Sequence, residues 1–182
     1  MGIFTKIKMD LKHVALREKA NLSLTFYLRM FLITGGFQYV LCRRIQEGLI
    51  LIPIIGRPAR RIFWWMTNMI FGSEIAIGAK VGGGLYIPHP YGIVVGVCEI
   101  GENVTLLQNV TIGVKSGSDA GLAVIGDDAF LSTGCVVLGD VKVGKGATIG
   151  ANSVVLTDVP DGAIAIGAPA RIKINMPGLS AL

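Results

Sequence analysis

Residues 85–96 read LYIPHPYGIVVG, and this stretch holds His89, one of only two histidines in the chain. A neutral imidazole accepts a proton from a hydroxyl group near physiological pH, so a positioned histidine is the minimum machinery for acyl transfer to an alcohol. Pro88 and Pro90 flank His89 and restrict the backbone that carries it. A lone histidine is also often only a hydrogen-bonded structural residue. Both interpretations stay open on this stretch alone.

Few other residues have the types and spacing for metal or redox chemistry. Three cysteines, Cys42, Cys98 and Cys135, are odd in number and lack CxxC spacing. This is typical of reduced structural thiols in a cytoplasmic protein, not of a disulfide framework or a zinc site. With only His13 and His89, the chain does not supply the three histidine ligands of a carbonic-anhydrase-like zinc site. We therefore expect no metal, and no motif favours nucleic-acid binding.

The elements that must position His89 show a six-residue repeat of aliphatic residues. A period of six fits neither an α-helix nor an alternating strand, which repeat near 3.6 and 2. It is typical of a solenoid of short parallel strands, in which the aliphatic residue of each hexad points inward. His89 would then lie near a face or corner and outside the core. The series is Ile75, Val81, Ile87, Ile93, Ile100, Leu106, Ile112, Ile125, Leu131, Val137, Val143, Ile149 and Val155.

The repeats IGENVT, IGDDAF, VGKGAT and IGANSV resemble those of the hexapeptide-repeat acyltransferases. The resemblance implies a mainly β fold, a left-handed parallel β-helix with about three hexads per turn and an N-terminal helical segment. We divide the chain into a helical segment at 1–72, a β-helix at 73–173 and a tail at 174–182. The longer gap between two hexads predicts an extruded loop at 113–124. It is either decoration or, as in the family, part of the active site of the next subunit.

The stretches HPYGIVVG, LLQNVTIG, VKSGSD, GANSVV and GAPARI are similar to those of serine acetyltransferases and of their relatives that acetylate surface polysaccharides. In that branch the histidine at the position of His89 deprotonates an acceptor hydroxyl, which attacks the thioester of acetyl-CoA bound beside it. Backbone N–H groups stabilise the oxyanion. The acid that assists this histidine falls on Glu74, where aspartate is usual. Glu74 is alternatively a solvated corner residue.

The resemblance also implies a homotrimer, in which acetyl-CoA lies in a groove between neighbouring β-helices. Small side chains suit a groove where the backbone contacts the pantetheine arm, whereas Arg171 and Lys173 would face the phosphates. A solvated surface is the alternative for Lys173 and for Lys145. The expected cofactor-binding residues are Gly113, Thr133, Gly134, Ala151, Asn152, Arg171 and Lys173. The expected acceptor-binding residues are Pro88, Tyr91 and Asn109.

Pro88 is the residue that bears on the acceptor. Serine acetyltransferases usually carry aspartate before the catalytic histidine and an Arg-His pair in the extruded loop, which aligns here with Gly121 and Leu122. A zwitterionic serine needs a carboxylate for its ammonium group and cations for its carboxylate. We therefore expect a neutral hydroxyl acceptor, such as a sugar of a surface polysaccharide or its precursor. The alternatives are a serine O-acetyltransferase with an altered pocket and a non-catalytic β-helix scaffold.

The N-terminal segment concentrates positive charge among apolar residues. Residues 1–71 hold eleven Lys and Arg against three Asp and Glu, a net charge of +8, and residues 72–182 hold six against nine, −3, which together give the total of +5. Arg57, Arg60 and Arg61 precede the aromatic run Phe63–Trp65. This combination favours contact with an anionic membrane surface. Packing of the aromatic residues against the β-helix explains them equally well.

Residues 22–42 are long and apolar enough to be considered as a membrane span. Arg29 near the middle and the Gly35-Gly36 pair argue against a span, because a charge at bilayer depth is costly. The first residues lack the apolar stretch and cleavage site of a signal peptide. We expect a cytoplasmic protein, in contact with the inner face of the membrane if the basic segment binds lipid.

Overall fold

The computed structural model describes residues 1–115 and 121–173. The tail predicted at 174–182 and the middle of the loop predicted at 113–124 lie outside the described residues. Four helices come first, α1 (Ile3–Arg17), α2 (Leu24–Leu32), α3 (Gly35–Leu49) and α4 (Gly56–Phe71). Fourteen strands follow: β1 (Glu74–Ile75), β2 (Lys80–Val81), β3 (Val94–Val95), β4 (Glu99–Ile100), β5 (Thr105–Leu106), β6 (Thr111–Gly113), β7 (Val124–Ile125), β8 (Phe130–Leu131), β9 (Val136–Leu138), β10 (Lys142–Val143), β11 (Thr148–Ile149), β12 (Val154–Val155), β13 (Ile164–Ile166) and β14 (Arg171–Lys173).

The strands form three sheets that make up the three faces of a β-helix. The first sheet has the order β1-β3-β6-β9-β12, the second β10-β7-β4-β2 and the third β14-β13-β11-β8-β5. All pairings are parallel except that of β13 with β14, which closes the last coil. Equivalent residues of successive coils stack inward, and the column of the first sheet is Ile75, Val95, Ile112, Val137 and Val155. The six-residue repeat therefore corresponds to one strand and one corner.

The structure corrects one position of the predicted series. Ile75 pairs with Val95, not with Ile93, because the segment around His89 adds two residues to the first coil. Ile93 is still fully buried, but it lies at the corner before the strand. Both positions are aliphatic, so the repeat pattern alone did not distinguish between them.

The helices form a cap on the first coils, and a buried ion pair fixes it there. Arg44 of α3 donates two hydrogen bonds to the carboxylate of Asp10 on α1, at 2.9 and 3.0 Å. Both side chains are almost completely inaccessible to solvent. Arg44 also donates to the carbonyl oxygens of Val81 and Gly82, and Asp10 accepts the backbone N–H of Leu85. The pair thus joins two helices to the β-helix.

The segment at 22–42 is not one helix. It is divided between α2, which ends at Leu32, and α3, which begins at Gly35. Within residues 1–115 and 121–173, no helix combines the length and apolar character needed to cross a bilayer. The two tryptophans of α4 lie on different sides of the helix. Trp64 packs on the β-helix and donates to the carbonyl oxygen of Ile75 at 2.9 Å, whereas Trp65 is 58% exposed.

Candidate active site

His89 lies on a segment that protrudes from the corner between the third sheet, which contains β5, and the first sheet, which contains β3. Pro90 is buried, and its carbonyl oxygen accepts a hydrogen bond of 3.0 Å from the Ser73 hydroxyl. The Ser73 oxygen in turn accepts the backbone N–H of Ile93 at 3.0 Å. The imidazole of His89 is exposed, and the backbone carbonyl of His89 accepts the N–H of Tyr91. The backbone is therefore held tightly while the ring stays accessible to ligands.

Helix α3 supports this segment from behind. Gly36 is buried against the backbone of Ile87 and Pro88, so closely that an added Cβ atom would overlap the Ile87 carbonyl oxygen. That Cβ would also lie 2.9 Å from the Pro88 carbonyl oxygen. Only glycine permits this approach of a helix to the segment. Gly36 is thus a positioning residue, whereas the sequence analysis considered it only as an argument against a membrane span.

A cavity of about 240 Å³ lies between the cap and His89. Its wall is largely apolar, with Val14 from α1 and Phe37 from α3. Three titratable side chains line it: the imidazole of His89, the carboxylate of Glu18 and the phenol of Tyr86. Pro88, which was predicted to contact the acceptor, also lines it. A cavity of this size is smaller than the roughly 300–1,000 Å³ of sites for drug-sized ligands and suits a small acceptor.

Glu18 is the functional candidate that the sequence analysis missed. It follows the last residue of α1 and forms an ion pair with Arg29 of α2. Nothing in its spacing links it to His89. The available signal was compositional, because Glu18 is one of only three acidic residues among the first 71. Glu18 lines the cavity whereas Arg29 does not, so this ion pair offers the carboxylate of Glu18 to the ammonium group of a zwitterion.

The predicted partnership of Glu74 with His89 is not formed in the described structure. Glu74 is half-buried in β1, and neither a hydrogen bond nor an ion pair joins it to His89 within residues 1–115 and 121–173. Its carboxylate lies near Tyr39 instead. Burial raises the pKa of the Tyr39 hydroxyl, and the negative charge of Glu74 adds to that increase. The assisting role of Glu74 stays a prediction.

Most of the predicted cofactor residues form one column along the corner that carries His89 and Tyr91. The N–H of Asn109 donates to the Tyr91 carbonyl at 2.9 Å, and that of Asn152 to the Thr133 carbonyl at 2.9 Å. Asn109, Gly134 and Asn152 all have φ near +60°, the left-handed conformation that glycine and asparagine adopt most readily. The column consists of Tyr91, Asn109, Thr133, Gly134, Ala151 and Asn152.

The other predicted cofactor residues lie around this column at different distances. Arg171 pairs with Ile166 at the end of β13 nearest the corner, so it extends the column by one coil. Lys173 pairs with Ile164 at the opposite end of that strand. Gly113 lies at the far end of β6 and accepts the N–H of Gly139. The structure thus brings Arg171 to the corner but places Lys173 and Gly113 away from it.

No metal site accompanies these residues in the part of the chain that the structure describes, where no group of three His, Cys, Asp or Glu side chains converges. The cysteines are also unsuited to nucleophilic chemistry. Burial raises the pKa of Cys98 to about 11 and that of Cys135 to about 12, so both remain protonated thiols at neutral pH.

Comparison with known proteins assigns the architecture to a family. The profile described as "Bacterial transferase hexapeptide (six repeats)" matches residues 122–157. The chain is 39% identical over 177 residues to the serine acetyltransferase of Bacillus licheniformis, covering 94% of this chain and 78% of that enzyme. It is 36% identical over 182 residues to the serine acetyltransferase of Bacillus subtilis. The chain belongs to the hexapeptide-repeat acyltransferase family.

Solved structures agree with this assignment. The serine acetyltransferase of Neisseria gonorrhoeae superimposes with a TM-score of 0.81 at 31% identity, covering 94% of this chain and 66% of that one. Soybean serine acetyltransferase complexed with serine superimposes with a TM-score of 0.83 at 32% identity, covering 94% and 70%. The predicted fold, a left-handed parallel β-helix with an N-terminal helical region, is confirmed. The prediction of an acyltransferase is confirmed as well.

Proposed function

We propose that this acyltransferase moves the acetyl group of acetyl-CoA to the hydroxyl group of L-serine, with His89 as general base. One observation carries the proposal, the small cavity that is lined by both His89 and Glu18. The amino-acid ammonium group would pair with Glu18, leaving the hydroxyl directed at His89. The serine acetyltransferases that match 94% of the chain at 36–39% identity support this acceptor over the predicted saccharide.

The structure removes part of the reason for expecting a neutral acceptor. Pro88 does replace the aspartate that precedes the histidine in relatives. Glu18, however, supplies a carboxylate to the same cavity from the helical cap, although 71 residues separate it from His89 along the chain. A cavity near 240 Å³ also suits an amino acid better than a sugar within a polymer.

The proposed reaction is a direct transfer. His89 removes the proton of the serine hydroxyl as the oxygen attacks the thioester carbonyl of acetyl-CoA. The tetrahedral intermediate collapses, the C–S bond breaks, and the imidazolium returns its proton to the departing thiolate. The products are O-acetylserine and CoA. No covalent enzyme intermediate is required, so one histidine without a nucleophile beside it is sufficient.

The corner column is the proposed acetyl-CoA groove. Its fit to a pantetheine arm rests on the small residues Thr133, Gly134 and Ala151, which leave the backbone open to a ligand. An added Cβ atom at Gly134 would overlap the side chain of Asn152, so this part of the corner has no room for a larger residue. Among solved relatives, a serine acetyltransferase complexed with CoA superimposes with a TM-score of 0.79 at 31% identity. Arg171 at the end of the column would face the phosphates.

We further propose that the enzyme is a homotrimer in the cytoplasm. A groove along one corner of a β-helix is open on its outer side, and a neighbouring β-helix would close it. The homotrimer prediction is checked by light scattering of the purified chain, for which a mass of three chains is expected.

The deciding experiment measures CoA release with acetyl-CoA and either L-serine or a neutral glycoside. We expect release with serine, and a loss of roughly 10²–10⁴-fold in His89→Ala, the usual contribution of a general base. Glu18→Gln should raise KM for serine much more than it lowers kcat. Glu102→Gln, which changes an exposed acid of the β-helix, is the matched control.

A neutral hydroxyl acceptor is the second candidate, and Pro88 is the observation that favours it. If the glycoside is acetylated faster than serine and Glu18→Gln has no effect on KM, the acceptor is the neutral one. If His89→Ala retains full activity with either acceptor, His89 is not the base.

A further inference from the structure

Helix α4 has an apolar face that nothing in the described part of the chain covers. Ile62, Trp65, Met66, Met69 and Ile70 are 61%, 58%, 45%, 66% and 71% exposed. Their spacing of i, i+3, i+4, i+7 and i+8 places all five on one stripe of the helix. A solvent-facing stripe of a soluble helix normally carries polar residues, so this stripe, called here the α4 stripe, needs an explanation.

The α4 stripe is distinct from the face by which α4 packs on the protein. That packed face carries Trp64, which donates to the Ile75 carbonyl, Arg60, which donates to the Ile77 carbonyl at 2.6 Å, and the buried Thr67. At 100° per residue, these three residues lie on the side of the helix opposite the stripe. The helix is therefore already anchored, and its outer face is free for another contact.

The chain that leads into α4 extends this apolar surface. Leu51, Ile54 and Ile55 are 73%, 95% and 62% exposed. Residues 50–55 contain no charged residue. An exposed apolar surface that combines a loop with about two and a half turns of helix is typical of an interaction site.

The charges beside the α4 stripe indicate the partner. Arg57 and Arg61 are exposed on α4. Arg57 follows residues 50–55 in the chain, and Arg61 lies at the edge of the stripe, where its guanidinium is 5.4 Å from the centre of the Trp64 ring. Residues 1–71 contain only three acidic residues, and each is paired within the cap: Asp10 with Arg44, Glu18 with Arg29 and Glu47 with Lys6. The helical cap therefore has an excess of positive charge, and none of its three carboxylates lies on α4.

We propose that the α4 stripe and residues 50–55 bind the enzyme to an anionic lipid surface. The apolar side chains would enter the interface, Trp65 would lie at the headgroup level, and Arg57 and Arg61 would contact the anionic headgroups. A second copy of the chain on this face would bring the same arginines together without carboxylates to pair them. Acetyl transfer does not require this contact, so the proposal extends beyond the proposed function.

The test uses the full chain in co-sedimentation with vesicles of phosphatidylcholine, with or without phosphatidylglycerol. We expect binding to the anionic vesicles that weakens as salt is added. The double variant Trp65→Ser, Met69→Ser should lower the partition coefficient by at least about tenfold. Arg57→Gln and Arg61→Gln should each lower it by about fivefold on anionic vesicles.

Leu156→Ser is the matched control, because Leu156 is a 41% exposed apolar residue on the β-helix. It should bind anionic vesicles like the unchanged chain. CoA release by the double variant in solution should stay unchanged, which separates this proposal from the proposed function. Equal binding to neutral and anionic vesicles, or unchanged binding of the double variant, overturns the proposal. A double variant that loses no lipid binding but halves the mass seen by light scattering would show a protein contact instead.

Discussion

Replacing Gly36 with alanine tests how the helical cap positions the segment that carries His89. Helix α3 approaches the backbone of Ile87 and Pro88 at Gly36, where an added Cβ atom would overlap one carbonyl oxygen and lie 2.9 Å from the next. Gly35 is the neighbouring residue of the same helix, and an added Cβ atom there meets nothing within 4 Å. The two substitutions make the same chemical change, so their difference isolates the contact with the segment.

The expected magnitude follows from two opposing effects. Alanine stabilises a helix by about 1 kcal/mol relative to glycine. This gain applies to both variants and is smallest in the first turn of the helix. Overpacking costs about 1–3 kcal/mol, and here the opposing atoms are backbone atoms that cannot rotate away. We therefore expect Gly36→Ala to be less stable than Gly35→Ala by roughly 2 kcal/mol. Displacing His89 by about 1 Å should also reduce kcat/KM by up to ~10²-fold.

Urea unfolding followed by circular dichroism measures the first difference, and CoA release measures the second. Gly35→Ala should match the unchanged enzyme in activity. If Gly36→Ala equals Gly35→Ala in both stability and activity, α3 does not position the segment and the reasoning is refuted.

Three further predictions concern the cap and the core. Arg44→Met should lower the free energy of unfolding by about 3–5 kcal/mol, because it leaves the Asp10 carboxylate buried without its partner. The exposed control Lys80→Met should change it far less in the same urea titration. Burial lowers the pKa of His13, whose ring bonds to the Gly84 carbonyl, so below pH ~6.5 the unfolded chain binds a proton that the folded chain does not. Stability should therefore fall as pH drops below about 6.5, and His13→Gln should remove that part of the slope. Cys98 and Cys135, with pKa values raised to about 11 and about 12, should resist a thiol reagent at pH 8 until the protein is unfolded.

Each of these has a result that contradicts it. Equal losses in Arg44→Met and Lys80→Met would show that burial of the pair is not what matters. A urea midpoint that is the same at pH 7.5 and pH 5.5 would remove the role given to His13. Labelling of Cys135 in the folded protein at the rate of a free thiol would show that the core opens readily.

The coil could be predicted from the sequence because it depends on local repetition. Each inward residue stacks on its equivalent one coil away, so the aliphatic repeat alone is nearly sufficient to predict the solenoid. The prediction was wrong at Ile93. Ile93 and Val95 are both aliphatic, and the segment around His89 adds two residues to the first coil, so Val95 takes the inward position of the strand. The corner column of Asn109, Thr133 and Asn152 was also predicted, by resemblance, since stacked corners bring equivalent positions of successive coils together.

The acceptor side of the site could not be predicted in the same way. The spacing of Glu74 from His89 matched the family, yet the described structure forms no hydrogen bond or ion pair between them, because a sequence interval does not fix the reach of a side chain. Glu18 reaches the cavity only because α1 docks beside the first coil. That docking depends on the pair of Asp10 and Arg44, two residues 34 positions apart.

The sequence by itself thus determined the β-helix and the corner that carries His89, because these follow from a repeat whose contacts join neighbouring coils. The class of reaction came from the resemblance of its motifs to those of the hexapeptide-repeat acyltransferases. Only the tertiary structure decided which side chains surround the acceptor and which face of α4 remains exposed. Those features depend on how a non-repeating cap packs on the coil. Such packing is set by non-local contacts, including the approach of Gly36 to Pro88, that no periodicity encodes.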